Sequence, residues 1–276
     1  MANIEADGEQ RTASRMNALR IRLADCESLL VAFSGGVDSS FLLAVAAREL
    51  PGKVLAVTVR SCLNPESEVD LARSQAEHIG APHLVVDLEP LDDPDVAANT
   101  AQRCYHCKRA IFARLGQIAQ ERGIRCIAHG ENADDSGDFR PGHRAAEELG
   151  ILAPLADVGL GRGEIRALSR ELGLPGWDRP SMACLASRVP YGTALTPELL
   201  EQVARAEEAL REVQPGQLRV RHHGAVARIE LPADQIPRLA DPEWRGEMVR
   251  RVKLAGYNYV TLDLEGFRSG SANEVL

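Results

Sequence analysis

The sequence predicts an α/β protein in which a doubly wound, mostly parallel sheet is followed by a smaller α+β domain. Four short runs are apolar throughout, as is typical of strands buried on both faces of a parallel sheet: residues 30–33, 54–59, 84–88 and 124–128. Stretches with helical spacing separate these runs, at residues 39–50, 66–79 and 109–121. Strands that alternate with helices predict right-handed crossovers and helices on both faces of the sheet.

The elements on either side of this pattern are of other kinds. Residues 15–30 have helical spacing and precede the first strand. Past residue 190, a helix over 196–210 opens with Thr196-Pro197, a strong helix start. The remaining predicted elements are strands at 218–222 and 225–231 around a hairpin at His223-Gly224, helices over 233–239 and 243–254, and a strand over 259–264.

The predicted boundary between the two domains is Pro190-Tyr191-Gly192. We expect a flexible tail over residues 1–14, which are mostly polar and charged, a first domain over 15–190 and a second over 191–276.

Composition argues against several classes of protein. The 276 residues are 45% hydrophobic and 26% charged, as in globular and not disordered proteins. A net charge of −8 argues against broad binding to nucleic-acid backbones, and the polar opening segment predicts no signal peptide and no membrane span. Six cysteines are too few for a disulfide framework in a chain of this length. We therefore expect a cytoplasmic protein, in which clustered cysteines indicate metal binding or catalysis.

A glycine-rich loop directly follows the first predicted strand: Ser34-Gly35-Gly36-Val37-Asp38-Ser39-Ser40. Gly35 and Gly36 let the backbone approach a ligand closely. Ser39 and Ser40 fall in the first turn of a helix, where hydroxyls and free N–H groups can converge on an anion. Asp38 beside phosphate indicates Mg²⁺ between them, which ATP would supply. The alternative is a Gly-Gly turn with a Ser/Asp cap; the loop is neither a Walker loop nor a dinucleotide fingerprint.

Three of the six cysteines are candidates for chemistry. Cys104 and Cys107 open a helix, where the dipole favours thiolates and a spacing of three lets two sulfurs share a metal. A redox dithiol, half of a zinc site and a chance pair are the alternatives. Cys184 has Arg188 nearby to favour its thiolate, and three thiolates without a fourth ligand suit a 4Fe–4S cluster with one open iron. The others are expected to be small core residues: Cys26, Cys62 and Cys126.

Basic side chains alternate along one of the C-terminal strands. Arg219, Arg221 and His223 therefore share one face of it. Such a face predicts a seat for a mononucleotide phosphate in an otherwise acidic protein. The alternative is a solvated basic edge strand.

The loop at residues 34–40 resembles the pyrophosphate loop (PP-loop) of the N-type ATP pyrophosphatases, which have a Rossmann-like fold. These enzymes split ATP between the α and β phosphates and adenylate an oxygen of an acceptor. The resemblance implies that pyrophosphate and Mg²⁺ are held by Ser34, Gly35, Gly36, Asp38, Ser39 and Ser40. It does not indicate the acceptor, because nucleotide amidation and tRNA thiolation share the loop.

Further motifs are similar to those of the LarE-type ATP-dependent sulfur transferases, over residues 15–265. They are Asn132-Ala133-Asp134-Asp135, Gly137-Asp138-Phe139-Arg140-Pro141-Gly142, Glu164-Ile165-Arg166-Ala167-Leu168-Ser169, Leu174-Pro175-Gly176-Trp177-Asp178-Arg179-Pro180-Ser181, Cys184-Leu185-Ala186-Ser187-Arg188 and Arg219-Val220-Arg221-His222-His223-Gly224. The resemblance implies an enzyme that adenylates a carboxylate of pyridinium-3,5-biscarboxylic acid mononucleotide. The carboxylate then becomes a thiocarboxylate for nickel-pincer nucleotide biosynthesis.

The resemblance also implies roles for single residues. Cys184 would handle sulfur, Arg219 and Arg221 would hold the substrate's phosphate, and Glu230 would be an acidic residue close to the cysteine. Together with Cys184, two further cysteines resemble the branch of the family that holds a 4Fe–4S cluster carrying the sulfide: Cys104 and Cys107. ATP, Mg²⁺ and this cluster are the implied cofactors.

Other implications concern assembly and the reaction. Residues 15–190 would be the PP-loop domain, and residues 191–276 would bind substrate and form an oligomer. The resemblance implies that this oligomer is a hexamer. It does not indicate the sulfide donor. The alternatives are loss of the Cys184 sulfur itself, tRNA thiolation, and a non-catalytic nucleotide-binding sensor of iron or redox state. Amidation like that of NAD synthetase would leave the three cysteines unexplained.

Overall fold

The structure is a computed structural model that describes residues 2–137, 141–180, 183–268, 270–271 and 274. Parts of two motifs noted above, Asp138-Phe139-Arg140 and Ser181, lie outside the described residues, as does Met182.

Seven strands are formed by the described residues: β1 (Leu29–Ala32), β2 (Val54–Arg60), β3 (His83–Asp87), β4 (Cys126–His129), β5 (Arg219–His223), β6 (Val226–Glu230) and β7 (Tyr259–Leu262). The α-helices are α1 (Ala2–Ala24), α2 (Val37–Glu49), α3 (Glu66–Ile79), α4 (Pro94–Ala97), α5 (Arg103–Glu121), α6 (Pro141–Glu148), α7 (Pro154–Asp157), α8 (Arg162–Glu171), α9 (Pro197–Arg211) and α10 (Pro242–Leu254). Short 3₁₀ helices span Pro90–Asp92, Ala133–Gly137, Leu185–Arg188 and Ala233–Ala240.

The chain divides into two compact units. The first unit consists of Met1–Ser61, Glu66–Leu88 and Cys104–Ser181, and the second of Cys62–Pro65, Glu89–Arg103 and Met182–Leu276. The domain boundary at residue 190 and the flexibility of residues 1–14 stay predictions.

The first unit contains a four-stranded parallel sheet in the order β3-β2-β1-β4. Leu29 and Val31 of β1 belong to an apolar core shared with α1, α2, α3 and α8, whereas Leu30 belongs to a second core with Phe112 and Leu115 of α5. Successive strand residues point to opposite faces, so a strand with helices on both sides must be apolar throughout. The α/β fold class predicted from these runs is confirmed.

Two helix bounds differ from the prediction. The first helix ends at Ala24 and not near residue 30, because Leu29 and Leu30 are taken by β1 after a turn in which Glu27 has φ +59°. Helix α5 begins at Arg103, before the stretch of helical spacing at 109–121, and includes the cysteine pair that was predicted to open it. None of the described helices has both the length and the apolar character needed to cross a membrane.

The second unit contains a three-stranded mixed sheet in the order β5-β6-β7. The predicted hairpin is present, with His223 paired to Val226 and Gly224 at φ +63° in the turn. Helices α9 and α10 begin as the sequence indicates: Thr196 accepts a hydrogen bond from the Leu199 N–H, and a Pro stands at the first helical position of each.

Candidate active site

In the first unit, the loop between β1 and α2 approaches its neighbours too closely for any residue but glycine at one point. Gly35 has φ +72°, and a Cβ there would lie 2.8 Å from the Ala72 Cα of α3. Gly130, after β4, is equally tight, because its Cβ would lie 2.8 Å from the Ser39 backbone nitrogen. The start of α2 is therefore fixed between two backbone segments, at the carboxyl edge of the parallel sheet, where ligands of such sheets bind.

The serine hydroxyls of this loop are arranged around the helix start. The Ser34 and Ser39 hydroxyls lie 3.0 Å apart, and the Gly36 N–H donates to Ser34 Oγ at 3.3 Å. The buried Ser40 hydroxyl has no hydrogen-bond partner within the described part of the chain. A buried polar atom without a partner is costly. A phosphate oxygen at this position would remove that cost.

Asp38 lies in the first turn of α2 among other polar groups of the same unit. Its Oδ2 accepts a hydrogen bond from Asn132 Nδ2 at 2.9 Å. Burial raises the pKa of the Asp38 carboxyl, the Asn132 hydrogen bond opposes this, and the negative charge of Asp135 raises it further. Two carboxylates close enough to affect each other suit a hard divalent cation. Asp38 and Asp135 are thus the residues that fit Mg²⁺.

Replacing Asp38 by asparagine should stabilise the free protein while it removes ATP cleavage. A carboxyl whose pKa is raised by folding binds more protons when folded, so its charge costs stability above that pKa. We expect asparagine to raise the free energy of unfolding by about 1 kcal/mol at neutral pH, with a gain that shrinks as pH falls toward the carboxyl's pKa. Thermal melts of the nucleotide-free protein measure it.

The matched control for this substitution is Asp178→Asn, at an exposed loop position of the same unit. It should change neither the melting temperature nor pyrophosphate release. A destabilised Asp38→Asn protein would contradict the electrostatic cost assigned to Asp38.

Cys104 and Cys107 lie in the first turn of α5, as the sequence predicts. Cys104 is exposed and Cys107 is half-buried. Tyr105 between them donates a hydrogen bond to Glu148 at 2.7 Å, and the Arg144 guanidinium lies 4.0 Å from the centre of its ring. The helix start is thereby anchored to α6. Two accessible thiols three residues apart are a donor set that fits two corners of an iron–sulfur cluster.

In the second unit, Cys184 directly precedes the short helix Leu185–Arg188 and is half-buried. The Arg188 guanidinium donates to the Cys184 carbonyl at 3.1 Å and to the Ala183 carbonyl at 2.5 Å. Arg188 also donates to both carboxylate oxygens of Glu207, at 2.8 and 3.0 Å, and both side chains are 1% exposed. This buried ion pair holds the backbone of the cysteine loop. Whether its charge favours the Cys184 thiolate stays a prediction.

Two buried residues, unnoticed in the sequence, hold the other end of this loop. Asn99, at φ +54°, donates through Nδ2 to the Pro190 carbonyl at 2.9 Å, and its Oδ1 accepts from Arg103. Arg103 donates in turn to the Ala186 carbonyl at 3.1 Å. The segment that follows Cys184 is therefore fixed by side chains about 90 residues earlier in the chain.

Arg221 is held firmly on β5. Its Nε and Nη2 donate to the two carboxylate oxygens of Glu230, each at 2.8 Å, and its Nη1 donates to the Ser187 carbonyl at 2.6 Å. Glu230 also pairs with Arg228. Glu230 therefore orients an arginine that contacts the cysteine loop. A direct role of Glu230 beside Cys184 stays a prediction.

Arg219 lies in a surplus of positive charge. Burial lowers the pKa of Arg219 to about 10, and the charges of Arg188, Arg211 and Arg221 lower it too, against the opposing effect of Glu207. Its guanidinium lies 5.2 Å from the Phe267 ring centre. The arginine cluster, as we call it, comprises four arginines and two glutamates: Arg188, Arg211, Arg219, Arg221, Glu207 and Glu230. Several guanidinium groups around two buried carboxylates suit an anionic ligand.

Of the remaining cysteines, Cys26 is buried as predicted, and the other two are half-buried. Cys126 packs against the core that contains Cys26, and burial followed by hydrogen bonding to Cys126 raises the pKa of Cys26 to about 12. Cys62 donates a hydrogen bond to Glu89 Oε1 at 3.0 Å. The pKa of Cys62 is raised to about 12. The largest cause is burial, followed by the hydrogen bond and charge of Glu89 and then by the charge of Cys184.

The structure brings together part of the predicted site in each unit. Residues of the phosphate loop and the Cys104/Cys107 pair belong to the first unit, whereas Cys184, the arginine cluster and Glu230 belong to the second. A cluster shared by the three cysteines stays a prediction.

The parallel sheet and the tight loop after its first strand are the features expected of a PP-loop domain. In agreement, a family model described as Asparagine synthase matches residues 16–135. The chain is 41% identical over 264 residues to the uncharacterized protein slr1717 of Synechocystis sp.. The matched region covers 95% of this chain and 98% of that protein.

The relatives with assigned activities include a mononucleotide synthase and a tRNA thiouridylase. The pyridinium-3,5-bisthiocarboxylic acid mononucleotide synthase of Lactiplantibacillus plantarum is 37% identical over 265 residues, or 96% of this chain and 95% of that protein. The chain therefore belongs to the LarE-type family of ATP-dependent sulfur transferases, which confirms the resemblance. The tRNA-specific 2-thiouridylase MnmA of Sorangium cellulosum is 28% identical over 214 residues, or 63% of this chain and 53% of that protein.

Proposed function

We propose that this enzyme adenylates a carboxylate of pyridinium-3,5-biscarboxylic acid mononucleotide and converts it to a thiocarboxylate for nickel-pincer nucleotide biosynthesis. The observation that carries the proposal is the arginine cluster, which holds the Cys184 loop through Arg188 and Arg221. It provides an anion seat attached to a sulfur-bearing residue. The near full-length similarity to a synthase of the corresponding bisthiocarboxylic acid supports the choice of acceptor.

In the first half-reaction, the carboxylate attacks the α-phosphate of Mg·ATP and pyrophosphate leaves. The narrow turn at Gly35 and the unpartnered Ser40 hydroxyl support a pyrophosphate seat at the start of α2. Asp38 and Asp135 would hold the Mg²⁺ that enters with ATP, while Asn132 fixes the orientation of the Asp38 carboxylate. The acyl-adenylate is reactive because AMP is a good leaving group.

In the second half-reaction, sulfur replaces AMP on the acyl group. Arg219, in the charge surplus, would hold the phosphate of the mononucleotide, and Arg221 would fix the cysteine loop through Ser187. A 4Fe–4S cluster held by Cys104, Cys107 and Cys184 would supply the transferable sulfide when bound. In the competing version, the Cys184 thiolate attacks the adenylate directly and loses its own sulfur to the product.

The decisive experiment separates the two half-reactions. Protein reconstituted anaerobically with iron and sulfide is incubated with Mg·ATP and the biscarboxylate mononucleotide, and pyrophosphate and thiocarboxylate are both measured. Cys184→Ser should keep pyrophosphate release but reduce thiocarboxylate by about 100-fold or more. Cys104→Ser should limit the product to at most one equivalent. Cys126→Ser, a core cysteine of the first unit, is the control.

Three outcomes would overturn parts of this proposal. A colourless, iron-free active protein whose Cys184 loses the elements of hydrogen sulfide would exclude the cluster version. If the protein released no pyrophosphate from ATP with any of the carboxylate substrates tried, the enzyme would be excluded and a nucleotide-binding sensor favoured. Release with tRNA in place of the mononucleotide would favour thiolation of tRNA, which the net charge of −8 disfavours.

Location and assembly complete the proposal. Six cysteines are too few for a disulfide framework in 276 residues, which supports a reducing compartment such as the cytoplasm. We expect a homo-oligomer, a hexamer by family, which sedimentation at several protein concentrations would measure.

A further inference from the structure

A second thiol belongs to the surroundings of Cys184. Cys62–Pro65 lies in the second unit, although the chain on both sides of it belongs to the first. The Leu63 carbonyl accepts a hydrogen bond from the Leu185 N–H at 2.9 Å. Cys62 and Cys184 each directly precede one of these two residues, so the backbone bond makes them neighbours. Both cysteines are half-buried.

A carboxylate is placed to receive the proton of this thiol. Cys62 Sγ donates to Glu89 Oε1 at 3.0 Å, and the same oxygen accepts from the Leu91 N–H at 3.1 Å, where Glu89 caps the short helix Pro90–Asp92. The carboxylate is therefore fixed by the backbone. A thiol that keeps its proton reacts slowly with oxidants, but an adjacent base lets it attack once its neighbour has become electrophilic.

We propose that Cys62 is the resolving thiol of Cys184, and that the two form a reversible intrachain disulfide when Cys184 is oxidised. Peroxide oxidises the Cys184 thiol to a sulfenic acid and releases water. Cys62 Sγ then attacks Cys184 Sγ, Glu89 takes the Cys62 proton, and the departing hydroxide gains a proton to form a second water. A cellular dithiol later reduces the disulfide to two thiols.

The consequence is protection of the sulfur-handling residue. In the disulfide, Cys184 cannot bind a cluster or attack an adenylate, but it also cannot proceed to the irreversible sulfinic acid. This role rests on the proposed function only in assigning sulfur transfer to Cys184. The disulfide itself requires neither ATP nor an acceptor.

The test uses the full chain, freed of iron with a chelator, reduced, and treated with stoichiometric hydrogen peroxide. Peptide mapping without reductant should give one cross-linked peptide joining Cys62 to Cys184, which dithiothreitol reverses. Cys62→Ser should instead accumulate a Cys184 sulfenic acid that dimedone traps.

The buried Cys26 and the half-buried Cys126 that packs against it are the internal comparison and should stay reduced. A wild-type sulfenic acid at Cys184 that persists beside a free Cys62 would overturn the inference, as would a disulfide from Cys184 to Cys104 or Cys107. A protein that forms the cross-link but releases no pyrophosphate would leave the inference standing and overturn the proposed function instead.

Discussion

Replacing Glu207 by glutamine should destabilise the second unit by about 3–5 kcal/mol. Its carboxylate accepts two hydrogen bonds from Arg188, one from Arg211 at 2.7 Å and one from the Val220 N–H at 3.1 Å. Glutamine keeps the shape but leaves the Arg188 charge buried and unbalanced. Its amide N–H₂ would also face guanidinium donors, so hydrogen bonds are lost as well as charge.

The effect should depend on pH in a defined direction. Burial acts to raise the pKa of Glu207, but the charges of Arg188 and Arg211 outweigh it, and the pKa lies below its ordinary value of 4.5. A lowered carboxyl pKa contributes stability that is present above the ordinary value and is lost as pH falls through the lowered one. The difference between wild type and Glu207→Gln should therefore be largest near neutrality and shrink in acid.

Denaturant unfolding followed by tryptophan fluorescence measures this effect. Trp244 is buried in the core of the second unit, and Trp177 belongs to the first. With Trp177→Phe in both proteins, the signal reports on the second unit alone. Glu208→Gln, an exposed neighbour on the same helix, is the matched control and should cost less than about 0.5 kcal/mol. Equal effects at 207 and 208 would mean that the buried pair contributes nothing beyond a surface charge.

Most of the fold could be predicted because its signals are local. The strands β1 and β2 are predicted by consecutive apolar residues, and the start of α9 is predicted by adjacent Thr and Pro residues. Neither prediction needs information about residues far away in the sequence. The end of the first helix was missed for the same reason. Helical spacing continues into Leu29 and Leu30, and only pairing with β2 and β4 makes them strand.

The site was predictable where residue type and spacing carry the chemistry, as in the phosphate loop and the Cys104/Cys107 pair. It was not predictable where contacts join distant segments. From the sequence, Cys62 is expected to be a core residue. The structure places it beside the Cys184 loop through a backbone hydrogen bond between Leu63 and Leu185, which lie more than a hundred residues apart. Asn99 has an unremarkable sequence context, yet it holds the carbonyl of Pro190. Arg221 was expected to face substrate, and only the structure gives it Glu230 as a bidentate partner.

Replacing Gly35 by alanine should reduce pyrophosphate release by about 100-fold or more, because displacement of about 1 Å at a reacting centre has that effect. The new Cβ would lie 2.8 Å from the Ala72 Cα and 2.9 Å from its nitrogen, so the loop must move away from α3. Alanine also tolerates φ +72° poorly, at about 1–2 kcal/mol. Steady-state release of pyrophosphate, together with a melt to confirm folding, measures the two effects separately.

Two other glycines separate strain from crowding. Gly52 has nearly the same φ, +73°, but nothing lies within 4 Å of its Cβ position, so Gly52→Ala should cost stability without affecting catalysis. Gly130→Ala has no positive φ, yet its Cβ would lie 2.8 Å from the Ser39 nitrogen and should impair catalysis at the start of α2. If folded Gly35→Ala and Gly130→Ala proteins released pyrophosphate at the wild-type rate, the loop would be an ordinary capped turn. If Gly35→Ala and Gly130→Ala both lost pyrophosphate release while Gly52→Ala kept it, the pyrophosphate seat would be assigned to this loop.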